Sequence, residues 1–222
     1  GNLKKSEIRL VKIKKLKNFK EIEINVMNKK YFFKLQNTSN TNIKNILCCI
    51  AVIKALELNL KRVVNLFYNL PPLAGRGKIY TVNRFNKKFK LIDESYNANP
   101  LSVKSSILNL SKIHNKNNEK KYLLLGDMLE LGNKSDFYHE NLSKIINNAN
   151  IDKLFVYGEK IFKTYKNISE KKRGNILHYK EDFDEIFSSV IKNDDFLMIK
   201  GSNATGLNKI SKKIIKGINN AL

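Results

Sequence analysis

The sequence predicts a two-part α/β chain whose larger part is a doubly wound, mostly parallel sheet. Three observations predict it. From Lys78 onward, short apolar runs alternate with helical patterns, the signature of strand–helix–strand crossovers. Before residue 70 the order differs: three strand-like runs come first and helices follow, with no complete crossover unit. Between the two stands "PPLAGRG", residues 71–77, where two prolines stop a helix and two glycines make a hinge.

The elements follow in order. "IRLVKI", "KEIEINV" and "KYFFKL" read as a meander, the last two joined by the turn "MNKK". From Asn42 the period lengthens, and apolar residues at 43, 46, 47, 50, 53 and 56 predict a helix with a broad buried face. Cys48 and Cys49 lie within it and read as core side chains rather than nucleophiles. A second helix over about 60–69 ends at Pro71-Pro72. "KIYTV" and "FKLID" pair as a hairpin. Then come helix 100–113, strand "YLLL", helix 136–149, strand "KLFVY" and helix 159–167. A short strand at 176–178, helix 181–191, strand "FLMI" and helix 206–220 complete the series. The first part is expected to be the tail of a larger domain, and the chain a fragment.

Composition removes several function classes. With 222 residues and 42% apolar content the chain can bury a sizeable core. No run approaches the roughly 18 apolar residues of a membrane span, and "GNLKKSEIRLVKIKK" carries no signal-peptide pattern. The two cysteines are adjacent and form no disulfide framework, so a reducing cytoplasm is the expected location. A formal charge of +22 invites nucleic acid. Arginine, the better phosphate and base reader, is confined to Arg9, Arg62, Arg76, Arg84 and Arg173, while lysines spread along the whole chain. A solvated lysine surface is therefore expected, with no specific nucleic-acid partner.

Ligands of a doubly wound sheet bind beyond the carboxyl ends of its strands. One such end reads Asp93-Glu94 and then "SYNANP"; another reads "LGDMLELG", with Gly126, Asp127 and Glu130; a third reads "IKGSNATG", with Lys200, Gly201 and Ser202. Acids, amides, a hydroxyl and an ammonium thus converge on one edge. Each also has a plain structural reading. Asn99-Pro100 is a good helix start, Asp127 can cap a turn, and Lys200 can snorkel to the surface. "GSNATG" has phosphate-loop spacing, but Leu207-Asn208 follow where Lys and Ser/Thr belong. His114, His139 and His178 show no metal-ligand spacing, and surface or satisfied-core roles are expected for them, with no metal site.

"GRG", "LIDESYNANPLSVKSSI", "LGDMLELG", the His139-Glu140 pair and "KGS" occur in the order found in the Mur ligases, which the chain resembles from about residue 30 onward. The resemblance implies residues 1–74 as the closing part of a P-loop-type central ATP-binding domain, and 75–222 as a Rossmann-like C-terminal ligase domain. It is strongest to the member that adds D-alanyl-D-alanine to UDP-N-acetylmuramoyl-tripeptide, through an acyl phosphate, with ATP and Mg2+, as a cytoplasmic monomer. It places Asn42, Asn45, Arg76, Asp93, Glu94 and Asn97 toward ATP, with either acid open for the nucleotide contact. Asn97, Asn99, Asp127, Lys200 and Ser202 fall toward the incoming substrate. Thr41 stands where the family usually has His, and Asn203 where it often has Arg. No GTNGKT-type phosphate loop occurs in the sequence, so catalytic groups are expected outside it, and the chain alone is expected to be inactive. The alternative is a stand-alone nucleotide or amino-acid binding module without catalysis.

Overall fold

The computed structural model describes residues 5–36, 40–69, 72–114 and 118–216. The chain divides into two compact units, Gly1–Pro71 and Pro72–Leu222, a little ahead of the boundary expected at 74/75. No helix among the described residues is long and apolar enough to cross a membrane.

In the first unit β1 (Ile8–Lys15), β2 (Phe19–Val26) and β3 (Lys29–Gln36) form the expected antiparallel meander. Met27 and Asn28 both take positive φ, so β2 and β3 meet at a two-residue turn, tighter than "MNKK" implied. Helix α1 (Asn40–Ala55) lays Ile43, Ile46, Leu47 and Ile50 on Ile22, Ile24, Phe33 and Leu35. These positions share one stripe of a 3.6-residue period. Cys48 and Cys49 fall off that stripe and are exposed, which corrects the core reading. The spacing that predicts the buried face at 43, 46, 47 and 50 already leaves 48 and 49 to one side of it. The helix expected over 60–69 is α-helical only as α2 (Leu60–Val63), capped by Asn59, and continues as a 3-10 turn over Val64–Asn69.

The second unit opens with the hairpin β4 (Lys78–Arg84) and β5 (Lys87–Glu94), turned at Phe85-Asn86, again both at positive φ. Alternation then runs α3 (Pro100–Ser111), β6 (Lys121–Gly126), α4 (Ser135–Asn148), β7 (Lys153–Tyr157) and α5 (Phe162–Asn167). It ends with β8 (Arg173–Leu177), α6 (Asp182–Val190), β9 (Phe196–Lys200) and α7 (Leu207–Lys216). The six strands lie in the order β4-β5-β9-β6-β7-β8, parallel except for β4.

Neighbouring side chains of each inner strand serve opposite faces. Ile92, Leu123, Leu125, Leu154, Val156 and Met198 meet Val103 and Ile107 of α3 and Leu142 and Ile146 of α4. Leu91, Leu124, Phe155, Leu197 and Ile199 meet Phe183 and Phe187 of α6 and Ile210 and Ile214 of α7. Burial on both faces explains why "YLLL", "LFV" and "FLMI" are continuous apolar runs. The sheet is therefore covered on both sides, and its strand ends are left for chemistry.

Candidate functional site

Insertion of β9 between β5 and β6 sets three strand ends side by side. Glu94 is the register partner of Lys200, which in turn pairs with Leu125 of β6. The loops 95–99, 127–131 and 201–206 therefore leave adjacent strands at nearly one level. Gly126 and Gly201 make that closeness possible. A Cβ on Gly126 would sit 2.7 Å from Cδ1 of Leu207, and one on Gly201 would sit 2.9 Å from the same atom. Gly206, at φ 77, supplies the left-handed turn before α7. In "GSNATG", then, Gly201 serves packing and Gly206 the turn.

Lys200 lies beneath the rim and does not snorkel. Its side chain is 3% exposed, and Nζ donates to the Asn97 carbonyl at 2.9 Å and sits 3.6 Å from Oε2 of Glu94. β9 is an interior strand, so its last side chain is enclosed by the β5 loop and has no path to water. Burial pushes the Lys200 ammonium down, against the pull of Glu94 and aided by the positive charge of Arg76. Burial also pushes the Glu94 carboxyl up, with Lys200 opposing.

The two adjacent acids have different surroundings. Asp93 is buried; Oδ2 accepts from the Gly75 N–H at 2.8 Å and Oδ1 from the Ser95 hydroxyl at 2.6 Å. Glu94 keeps part of its carboxylate open, at 21% side-chain exposure. Successive strand residues point to opposite faces, which separates their roles. The Asp93 carbonyl also accepts from Gly77 N–H, so the turn around Arg76 is tied to β5 from both sides. Arg76 is exposed, and its guanidinium lies 4.2 Å from the centroid of the Tyr96 ring.

The remaining candidates divide between rim and frame. Asn97 is exposed, and its Oδ1 accepts from the Ala98 N–H. Asn99 caps α3 in a capping box with Ser102, its Oδ1 accepting from Ser102 N–H at 2.8 Å. Asp127 reaches across to the β7–α5 loop, where Oδ1 accepts from Ile161 N–H at 2.7 Å. Ser202 is buried; its hydroxyl accepts from Leu129 N–H and donates to the Ala98 carbonyl, and its own N–H donates to the Asp127 carbonyl. Ser202 thus joins all three loops. In the first unit Asn45 is exposed on α1, and the side chain of Asn42 lies outside the described residues.

Three further residues support the site without having been assigned to it from sequence. Ser95 completes the shell of Asp93, and Tyr96 carries Arg76. His139 is fully buried; Nε2 accepts from Met128 N–H at 3.0 Å, and Nδ1 lies 2.7 Å from the Ser135 carbonyl, to which it donates. The expected satisfied-core role describes it, and it steadies the 127–131 loop. Only the "HE" pair marked it in the sequence.

At the rim the arrangement presents the Arg76 guanidinium, part of the Glu94 carboxylate and the Asn97 amide. Among the described residues Arg76 has no carboxylate within 4.0 Å, while Glu94 is already shared with Lys200. Arg76 and Lys200 balance Asp93 and Glu94 in number, but the exposed guanidinium makes no ion pair among the described residues and is open to an anionic ligand. No group of three His, Cys, Asp or Glu side chains among the described residues is arranged to hold a metal ion.

Residues 76–203 match the family model described as Mur ligase, glutamate ligase domain. The UDP-N-acetylmuramoyl-tripeptide–D-alanyl-D-alanine ligase of Bacillus subtilis is 31% identical over 130 residues, 57% of this chain and 28% of that protein. The ligase of the same name from Buchnera aphidicola (Acyrthosiphon pisum) is 30% identical over 183 residues, 79% of this chain and 37% of the relative. The chain thus spans well under half the length of these relatives. A crystal structure of MurF ligase from Thermotoga maritima in complex with ADP superposes with TM-score 0.72 at 20% identity, covering 99% of this chain and 48% of that one. A D-alanyl-D-alanyl ligase structure from Acinetobacter baumannii gives 0.74 at 19% identity, over 96% and 45%. At these identities the two structures establish the shared fold.

Proposed function

The chain belongs to the Mur ligase family, and from that premise we propose that it is part of an ATP-dependent amide ligase adding D-alanyl-D-alanine to UDP-N-acetylmuramoyl-tripeptide in peptidoglycan precursor synthesis. The relatives named for that reaction support the substrate pair. Residues 1–74 are, in this reading, the closing part of an ATP-binding domain, and 75–222 the terminal ligase domain. A cytoplasmic, monomeric enzyme goes with it.

The observation that carries the proposal is the strand-end cluster with its exposed Arg76, which makes no ion pair among the described residues. An ionised carboxylate is a poor acyl donor. ATP supplies the phosphoryl group that converts it into an acyl phosphate; the dipeptide amine then attacks the carbonyl and phosphate departs. Negative charge gathers during both steps, and a fixed guanidinium stabilises it. Arg76 takes the nucleotide phosphates in this scheme. Glu94, the acid with an open carboxylate, meets the nucleotide, because Asp93 is committed to Gly75 and Ser95. Asn97 presents its amide at the rim; Asn42 and Asn45, in the first unit, are assigned to ATP by family resemblance alone. Asn99, Asp127, Lys200 and Ser202 serve the dipeptide side by holding the three loops in shape. Magnesium offsets charge in such transfers; among the described residues no cluster of three His, Cys, Asp or Glu side chains is arranged to hold it.

Phosphate release from ATP, measured for this chain and for the complete product of its reading frame, tests the proposal. The complete product is expected to turn over only with both UDP-tripeptide and D-alanyl-D-alanine, and the 222-residue chain to stay at blank level. Turnover that ignores D-alanyl-D-alanine would overturn the substrate assignment. Turnover by the chain alone would show that it carries its own activating groups.

A further inference from the structure

We propose that Tyr96 is a positioning residue, whose ring presets the Arg76 guanidinium for an anionic ligand at the carboxyl edge of the sheet. The inference rests on the nucleotide reading above and names a residue to which that reading gave no role.

The backbone around Arg76 is held at three points. Gly75 N–H donates to Oδ2 of Asp93, Gly77 N–H donates to the Asp93 carbonyl, and Tyr96 N–H donates to the Gly75 carbonyl. Gly75 sits at φ +74, and a Cβ there would stand 2.9 Å from Cβ of Tyr96. The turn is therefore packed directly on the residue that carries the ring. These bonds fix where the Arg76 side chain starts but leave its rotamers free. An exposed arginine retains much conformational freedom, and an anion that must order it loses affinity accordingly. Among the described residues no carboxylate within 4.0 Å anchors this guanidinium; the Tyr96 ring, 4.2 Å away, is what it rests on. Such a support orients the cation without neutralising it, so the charge stays available to a ligand. An acid at position 96 would hold the arginine but cancel its charge.

Two measurements test this. The first is the Arg76 Nε–H resonance in the 222-residue chain, with the amide of Gly75 as an internal control for the turn. The ring should shift the Arg76 signal away from the position it takes in Y96L; Arg84 and Arg173, which lie over Phe85 and Tyr165, should keep their own shifts in that variant. Y96F should keep that shift and Y96L should abolish it, while Gly75 stays protected in both. An unchanged Arg76 signal in Y96L would overturn the contact. The second is ligase kinetics of the complete reading-frame product. Y96L should raise the KM for ATP about two- to fivefold, as loss of one exposed cation–π contact allows. Its kcat should stay near wild type, and Y96F should restore KM. A wild-type KM in an active Y96L enzyme overturns the positioning role. A wild-type enzyme without ATP-dependent turnover overturns the nucleotide reading and the positioning role together, and the resonance then reports a purely structural stack.

Discussion

Glu94 and Lys200 are register partners on neighbouring parallel strands, with Nζ 3.6 Å from Oε2 and the lysine almost wholly enclosed. Removing one member strands the other. Glu94→Gln leaves an ammonium in a low-dielectric pocket, with only carbonyls to receive it. It should cost about 2–4 kcal/mol in urea unfolding. The double variant E94Q/K200M should lose less than the sum of the single variants, because neither charge is then left behind. Additive losses would show that the pair is not coupled.

The same burial gives a pH dependence with a definite sign. Lys200 has its folded pKa below its ordinary 10.5, so the folded chain releases this proton first. Its contribution is fully present above 10.5 and is lost as pH falls through the lowered folded value. Wild type should therefore gain stability relative to K200M as pH rises from neutrality toward that limit. Chemical unfolding of both proteins across this range checks it; a flat or falling difference contradicts the burial argument.

Asn99 is the test case for a cap against a ligand contact. Its Oδ1 is engaged by Ser102 N–H, and Ser102 Oγ accepts from the Asn99 N–H. Asn99→Ala should cost about 1 kcal/mol, and Asn99→Asp should restore it because the acceptor is kept. If N99D folds with native stability but loses affinity for D-alanyl-D-alanine in the complete enzyme, the exposed amide is a ligand contact besides being a cap.

His139→Ala would leave the Met128 N–H without its buried acceptor, while the Ser135 carbonyl keeps its place in the first turn of α4. A loss of about 2–3 kcal/mol is expected, within the range for buried polar groups left unsatisfied. Faster hydrogen exchange should appear first at the amides of Met128 and Leu129. Uniform change across the sheet would instead indicate global loosening.

The strands of the second unit were legible because they are short and apolar, and α3 because it begins at a recognisable cap; α5 starts three residues later than the expected 159, and β8 starts three residues before the expected 176, with no side-chain cap to mark α5. "KLFVY" runs over the five residues of β7, and Asn99-Pro100 opens α3 as its composition demands. The turn at Met27-Asn28 and the 3-10 continuation after Val63 were read less sharply. Both depend on how the flanking strands and core settle, which local propensity does not record. Cys48 and Cys49 were misplaced although the pattern marked them: positions 43, 46, 47 and 50 form the buried stripe, and 48 and 49 lie well around the helix from it.

For the site, the sequence by itself determined which residue types stand at three strand ends and that those ends share one edge of a sheet. Crossover handedness and strand polarity are enough for that. Only the tertiary structure decided that β9 lies between β5 and β6, since parallel pairing joins residues about a hundred positions apart and leaves no local mark. From that one placement follow the enclosure of Lys200, its pairing with Glu94 and the tie that Ser202 makes among three loops. The division of labour between Asp93 and Glu94 follows too, because alternate strand residues face opposite ways and the covering elements differ. Residue identity supplied the chemistry, and the long-range contacts selected which groups became frame and which stayed open to a ligand.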